Sequence, residues 1–141
     1  MNMEKSKALA PIELNKSYDA PIEEVWKAVA TSEGLAGWFM PNDFQPVEGS
    51  RFDLNSGQFG MSPCIVKALN PPKHLSFSWG KDWVLSFDLK GLNGKTELAL
   101  THSGWDSSKL TEFNAPHPAV RENMARGWAN LLEKLRDYVE G

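Results

Sequence analysis

Disulfide chemistry is missing from this chain of 141 residues, because its one cysteine, Cys64, has no partner for an internal bridge. Also missing are an apolar run long enough to cross a bilayer as a helix and a signal-peptide core in the polar opening Met1–Ala10. These absences lead us to expect a cytoplasmic protein with no membrane insertion. The 15 lysines and arginines are scattered and the formal net charge is -3, so the basic stripe that nucleic acid requires is not there, and no nucleic-acid partner is expected. Cys64 lies between apolar neighbours and reads as a buried thiol. Metal-ligand spacing is absent: His74 alternates outward and His117 lies at the start of the last helix, so neither makes a metal set with His102, and neither a metal nor a cofactor is expected. No Gly-x-Ser-x-Gly elbow occurs and no glycine-rich phosphate loop opens a helix.

Tryptophan, by contrast, is plentiful: six in so short a chain. Such a number implies a large aromatic core or an aromatic-lined pocket. The length suits one domain with a substantial core. Residues 1–10 read as a frayed tail and residues 11–141 as a single domain.

The C-terminal stretch His117–Tyr138 organises the rest. Val120, Met124, Trp128, Leu131, Leu135 and Tyr138 recur at helical spacing, with Leu132 and Val139 at the edge of the stripe. Pro118 suits the first turn, and Glu122 and Arg126 are ordered for an i,i+4 pair. Gly127 interrupts this helix beside its apolar face, at a propensity cost of roughly 1 kcal/mol. Its presence calls for close packing or for empty space.

Upstream, Ile12, Leu14 and Tyr18 set the alternation of a first strand. Asp19 is placed to cap a short helix over Ile22–Ala30, with Pro21 in its first turn, and Ser32 to cap a second over Ser32–Trp38, which Gly34 and Gly37 weaken. From Phe44 to His102 the pattern is strand and turn. A short strand is expected at Phe44–Val47, confined by Pro46 to an edge or bulge, then one around Phe52 and Leu54, a loop at Asn55–Gly60, and one at Cys64–Leu69. Clear alternation follows at Leu75–Trp79, at Trp83–Leu89 and at Thr96–His102, with an Asn93-Gly94 hairpin between the last two. Strands joined by short turns form an antiparallel sheet, and its aromatic inner face has to be covered. The expected fold is α+β, a curved antiparallel sheet of about six or seven strands wrapped round the long C-terminal helix, with two short helices after the first strand.

Five runs then carry a family resemblance: DAPIEEVW at Asp19–Trp26, GLAGWF at Gly34–Phe39, EGSRF at Glu48–Phe52, LALTHSGW at Leu98–Trp105 and GWANLLEKL at Gly127–Leu135. In this order, over Ile12–Val139, the chain resembles the bacterial homologues of the activator of heat-shock-protein-90 ATPase. The resemblance implies the helix-grip (START-like) fold and, in that superfamily, an apolar ligand held between sheet and long helix. It also offers a chaperone as an alternative partner. The eukaryotic co-chaperone has an additional N-terminal domain, and nothing equivalent precedes Ile12 here, so stimulation of a chaperone ATPase by this chain alone is not expected.

Binding of a small apolar or aromatic molecule is therefore the expected function. The expected lining is Trp38 and Phe39 from the second short helix, Phe52, Phe77, Trp79, Phe87, Leu100 and His102 from the strands, and Met124, Gly127 and Trp128 from the last helix. Each also has a plainer reading: Trp38 and Phe39 as core, Trp79 and Trp83 as a cluster at a sheet end, His102 as a strand-end histidine bonded to backbone. Trp26 reads as core. For catalysis, Asp53, Asp88 and Asp106 fall on outward positions or in loops, leaving His102 and Tyr18 as the inward candidates for a cyclase-like enzyme. An aromatic pocket with few polar groups fits binding better than chemistry, with Ser103 beside His102 to orient the ligand.

Overall fold

Alternation of apolar and polar residues generates six strands, and helical periodicity three helices, in a computed structural model that describes residues 8–55, 57, 60–109 and 115–140. In chain order these are β1 (Ile12–Tyr18), α1 (Ile22–Val29), α2 (Ser32–Trp38), β2 (Arg51–Asn55), β3 (Met61–Asn70), β4 (His74–Trp79), β5 (Trp83–Leu92), β6 (Lys95–Ser103) and α3 (His117–Glu140). The strands form one sheet in the order β1-β6-β5-β4-β3-β2, with every neighbouring pair antiparallel. This is the expected helix-grip architecture. The β5–β6 hairpin turns at Asn93 and Gly94, both at positive φ (55° and 79°), as the sequence signal requires. Of the expected tail, Met1–Lys7 lie outside the described residues, as do Ser56, Gln58 and Phe59 of the expected loop. Ala8–Ala10 are held in place: Leu9 N–H donates to the Trp105 carbonyl and Arg121 Nε–H to that of Ala10.

The strand expected at Phe44–Val47 does not form. Pro46 lacks an N–H for a ladder, and polar side chains take over the neighbouring backbone. Asn42 Oδ1 accepts from Phe44 N–H at 2.9 Å, and Asp43 Oδ1 accepts from Asp53 N–H of β2 at 2.7 Å. The Pro41 carbonyl takes the next outward N–H of β2, that of Asn55, at 2.8 Å.

Helix ends differ from expectation in detail. Pro21 occupies the N-cap of α1 and no side chain caps it; Asp19 lies two residues too early, and its backbone N–H donates to Glu140. Thr31, not Ser32, caps α2, accepting from Gly34 N–H at 2.9 Å, while Ser32 Oγ donates to the Asn42 carbonyl. The buried face of α3 centres on Trp128, Leu132 and Leu135, with Tyr138 at its exposed margin. Leu132, an edge residue by spacing, is central because its carbonyl also accepts from the buried Tyr18 hydroxyl at 2.9 Å, tying α3 to β1. Glu122 and Arg126 do pair, at 3.8 Å and fully at the surface, where such a pair contributes little.

The helical glycines have different reasons for being there. A Cβ on Gly34 would collide with the Lys27 carbonyl and lie 2.7 Å from Ala28 Cα, so Gly34 permits α1 and α2 to touch backbone to backbone. A Cβ on Gly127 meets nothing within 4 Å. Opposite signs follow for the same substitution. Gly34→Ala should destabilise by about 1–3 kcal/mol through overpacking, and Gly127→Ala should stabilise by up to about 1 kcal/mol of helix propensity. Denaturant midpoints of the two variants check both, and a destabilising Gly127→Ala would remove the open space assigned there.

Candidate functional site

Side chains from the inner face of the sheet, from α2 and from α3 meet in one aromatic assembly. Five of the six tryptophans belong to it; Trp26 packs half-buried on the outside of the core. Trp38 stacks on Phe39 (5.4 Å between ring centroids) and Phe39 on Trp128 (5.2 Å). Trp79 stands edge-on to both Phe39 and Trp128 and lies flat against His102 at 5.3 Å. Trp83 and Trp105 complete the far side of His102, at 4.9 and 4.7 Å. A second chain of rings, Phe44 to Phe52 to Phe77, links the segment before β2 to β2 and β4 through edge contacts of 5.1 Å.

The expected lining residues thus fall into two groups. Trp38, Phe39, Trp79, His102 and Trp128 are brought into mutual ring contact, and Phe87 joins them through Trp38 at 6.1 Å. Phe52 and Phe77 belong to the second chain of rings, and Leu100 is fully buried in the core. Phe39 and Met124 are half-buried against the core, and Gly127 is half-buried with open space at its Cβ position.

His102 points inward, as its parity with Leu98 and Leu100 predicts, and is completely buried. Its partner is a side chain. Trp128 Nε1–H donates to His102 Nδ1 at 2.9 Å, which puts the lone pair on Nδ1 and the imidazole proton on Nε2. Burial lowers the His102 pKa to about 3, so the ring is neutral. Ser103 was expected to help orient a ligand here. It follows His102 along the strand and therefore faces the other side, where its hydroxyl donates to the Val84 carbonyl at 3.4 Å. Tyr18 is equally occupied, by Leu132, and burial raises its phenol above the ordinary range.

His117 is the residue that sequence reasoning undervalued. It is 1% exposed, lies 5.6 Å from Trp105 and 6.1 Å from Trp83, and its Nδ1 accepts from Asp106 N–H at 3.1 Å. A signal was available: His117 stands three residues before Val120 and seven before Met124, so it extends the apolar stripe of α3. Asp82, in the β4–β5 turn, approaches His117 Nε2 with Oδ2 at 3.7 Å while Oδ1 accepts from Lys109 Nζ at 3.0 Å. Nothing periodic marks Asp82. It is brought in by Gly104, which sits at φ +96° with its α-carbon against the Asp82 backbone carbonyl, where a Cβ would collide. Among the described residues, no group of three or more His, Cys, Asp or Glu side chains is arranged to hold a metal ion.

His102 generates a pH dependence of stability. Its folded pKa lies below that of an unfolded histidine, about 6.5, so the unfolded chain takes up a proton that the folded chain refuses. Stability should therefore fall as pH drops below about 6.5, by up to about 1.4 kcal/mol per pH unit from this group. Denaturation of the parent and of His102→Gln at several values between pH 5 and 7 checks this, and equal slopes would show that His102 is not the source.

Comparison with known proteins agrees with this architecture. A protein of Bacillus halodurans with a known solution structure is 42% identical, covering 94% of this chain and 99% of that one, with a TM-score of 0.85. A Mesorhizobium loti protein is 25% identical over 92% of this chain and 96% of its own, with a TM-score of 0.81. The Aha1 dimer from Colwellia psychrerythraea, 22% identical over 94% and 97%, shares the fold with a TM-score of 0.75. No curated protein matches this chain in sequence. No described helix is long and apolar enough to cross a membrane. Residues 19–140 match the family described as Activator of Hsp90 ATPase homolog 1-like protein, and the chain belongs to that family.

Proposed function

We propose that the protein binds a small planar apolar or aromatic molecule between the sheet and α3. The observation that carries this reading is the ring assembly around Trp128, bordered by open space at Gly127. Faces of Phe39, Trp79 and Trp128 offer offset and edge contacts suited to another planar ring. The half-buried residues Phe39, Met124 and Gly127 adjoin Trp128 through ring contact, one helical turn or the peptide bond, and form the mouth of the site. Long acyl chains gain nothing from ring stacking and should bind less well.

A cyclase-like role would need a proton acceptor facing the ligand. His102 and His117 both present N–H at Nε2, since their Nδ1 atoms accept from Trp128 and Asp106, so these imidazoles suit binding an oxygen rather than removing a proton. A chaperone-assisting role rests on family membership. Among the described residues, the large exposed apolar side chains, Val47, Met61, Leu92 and Tyr138, come from separate stretches of the chain.

Tryptophan fluorescence titration with two- and three-ring planar compounds and with fatty acids tests the reading. Saturable quenching is expected for the planar set. Gly127→Leu should remain folded and weaken that uptake. Tight binding of fatty acids alone would overturn the proposal.

A further inference from the structure

Four buried polar atoms have no hydrogen-bond partner among the described residues: Asp82 Oδ2, Trp83 Nε1, His102 Nε2 and His117 Nε2. They belong to adjoining side chains. The Trp83 ring lies 4.9 Å from His102 and 6.1 Å from His117, and Asp82 Oδ2 is 3.7 Å from His117 Nε2. Most buried polar atoms of native structures have a protein or water partner, and these four sit on side chains that adjoin one another, so their clustering marks a place where something binds.

What each atom offers follows from the bonds on the other side of its ring. Indole and backbone N–H groups can only donate. His102 Nδ1 accepts from Trp128 and His117 Nδ1 accepts from Asp106, so both histidines carry the proton on Nε2. Trp83 Nε1 is a third N–H. Asp82 Oδ2 can only accept, its other oxygen being bonded to Lys109. The set therefore comprises three donors and one acceptor. The gap of 3.7 Å between His117 Nε2 and Asp82 Oδ2 is too long for a direct bond, yet both atoms can reach one oxygen beside them.

That inventory selects the occupant. A metal ion would need a lone pair on Nε2, which neither imidazole has. An anion would meet the Asp82 carboxylate. A carbonyl could accept from the N–H groups but would leave Asp82 Oδ2 unserved. A hydroxyl oxygen has two lone pairs and one proton, so it accepts from two of the N–H donors and donates to the carboxylate, serving three of the four atoms. It could come from a trapped water or from a ligand. Trp83 and His102 both contact Trp79 of the ring assembly, so a hydroxyl at this place suits one carried on an aromatic body.

We propose that Asp82, Trp83, His102 and His117 form a subsite for the hydroxyl group of a phenolic small molecule. This deepens the binding reading above and rests on it: the ring assembly holds the planar body, and Asp82 with two of the N–H donors fixes its polar end. The Asp82 side chain is 13% exposed, which places the subsite just beneath the surface at the β4–β5 turn.

Calorimetric titration of the full chain with 2-naphthol, 2-methoxynaphthalene and 2-naphthoate tests it. The methoxy compound cannot donate to Asp82, and leaving that acceptor unpaired should weaken binding at least about tenfold relative to 2-naphthol. Naphthoate should also bind more weakly than 2-naphthol. The ratio of naphthol to methoxynaphthalene affinity should fall towards one in Asp82→Asn, which puts an amide N–H where the hydroxyl finds its acceptor. A mere packing role for Asp82 would change both affinities together and leave their ratio intact. Equal affinity for naphthol and methoxynaphthalene in the parent would mean that the four atoms hold water only, overturning the subsite and leaving the binding reading in place. Tighter binding of naphthoate would overturn it in favour of an anion. No binding of any of the three would overturn the subsite together with the binding of planar molecules.

Discussion

The interior depends on one polar contact, the 2.9 Å hydrogen bond from Trp128 Nε1–H to His102 Nδ1. Both residues are buried, 1% and 0% exposed, and a buried indole N–H needs an acceptor. The bond joins the middle of α3 to the end of β6 and holds the two rings edge to face, 83° apart. With Trp128 fixed, one of its faces is available to Phe39; with His102 fixed, Trp79 lies flat against it. The same bond chooses the histidine tautomer, so a contact that sets packing also decides what chemistry the imidazole can offer. The rings need only apolar neighbours, but the positions they take follow from that donor and acceptor.

Most of the fold was legible in the sequence because it is written in simple periods. Two-residue alternation located β1, β4, β5 and β6, the Asn93-Gly94 pair located a hairpin, and helical spacing located α3 to within two residues of its end. What was not legible involved polar side chains acting on backbone at short range. Phe44–Val47 looks like an edge strand until Asn42 and Asp43 are seen to occupy the local N–H groups. Thr31 and Ser32 are equally good caps on paper, and only the approach of Asn42 decides between them.

The site was half legible for the same reason. Parity put His102 inside, and composition announced an aromatic cluster. The bond to Trp128 could not be read, since it joins residues 26 positions apart whose relative height depends on how α3 lies against the sheet. His117 could have been found by extending the stripe of α3 one turn backwards. Asp82 could not, because a turn residue has no period and its place is set by a backbone contact with Gly104. Glycine itself is ambiguous in sequence: Gly34 and Gly127 both interrupt helices, one because two backbones touch and the other beside empty space.

The small polar knot at Asn42 and Asp43 has a consequence for how copies of this chain behave together. A sheet ends in strands with free N–H groups that can template a strand from another molecule. On β2, the outward N–H groups of Asp53 and Asn55 are already taken by the Asp43 carboxylate and the Pro41 carbonyl. The segment doing this is too irregular to offer a fresh ladder of its own. Edge-to-edge polymerisation is thus blocked on this side by a carboxylate and a proline, and the short β2 acts as a terminus of the sheet that crowded conditions cannot extend.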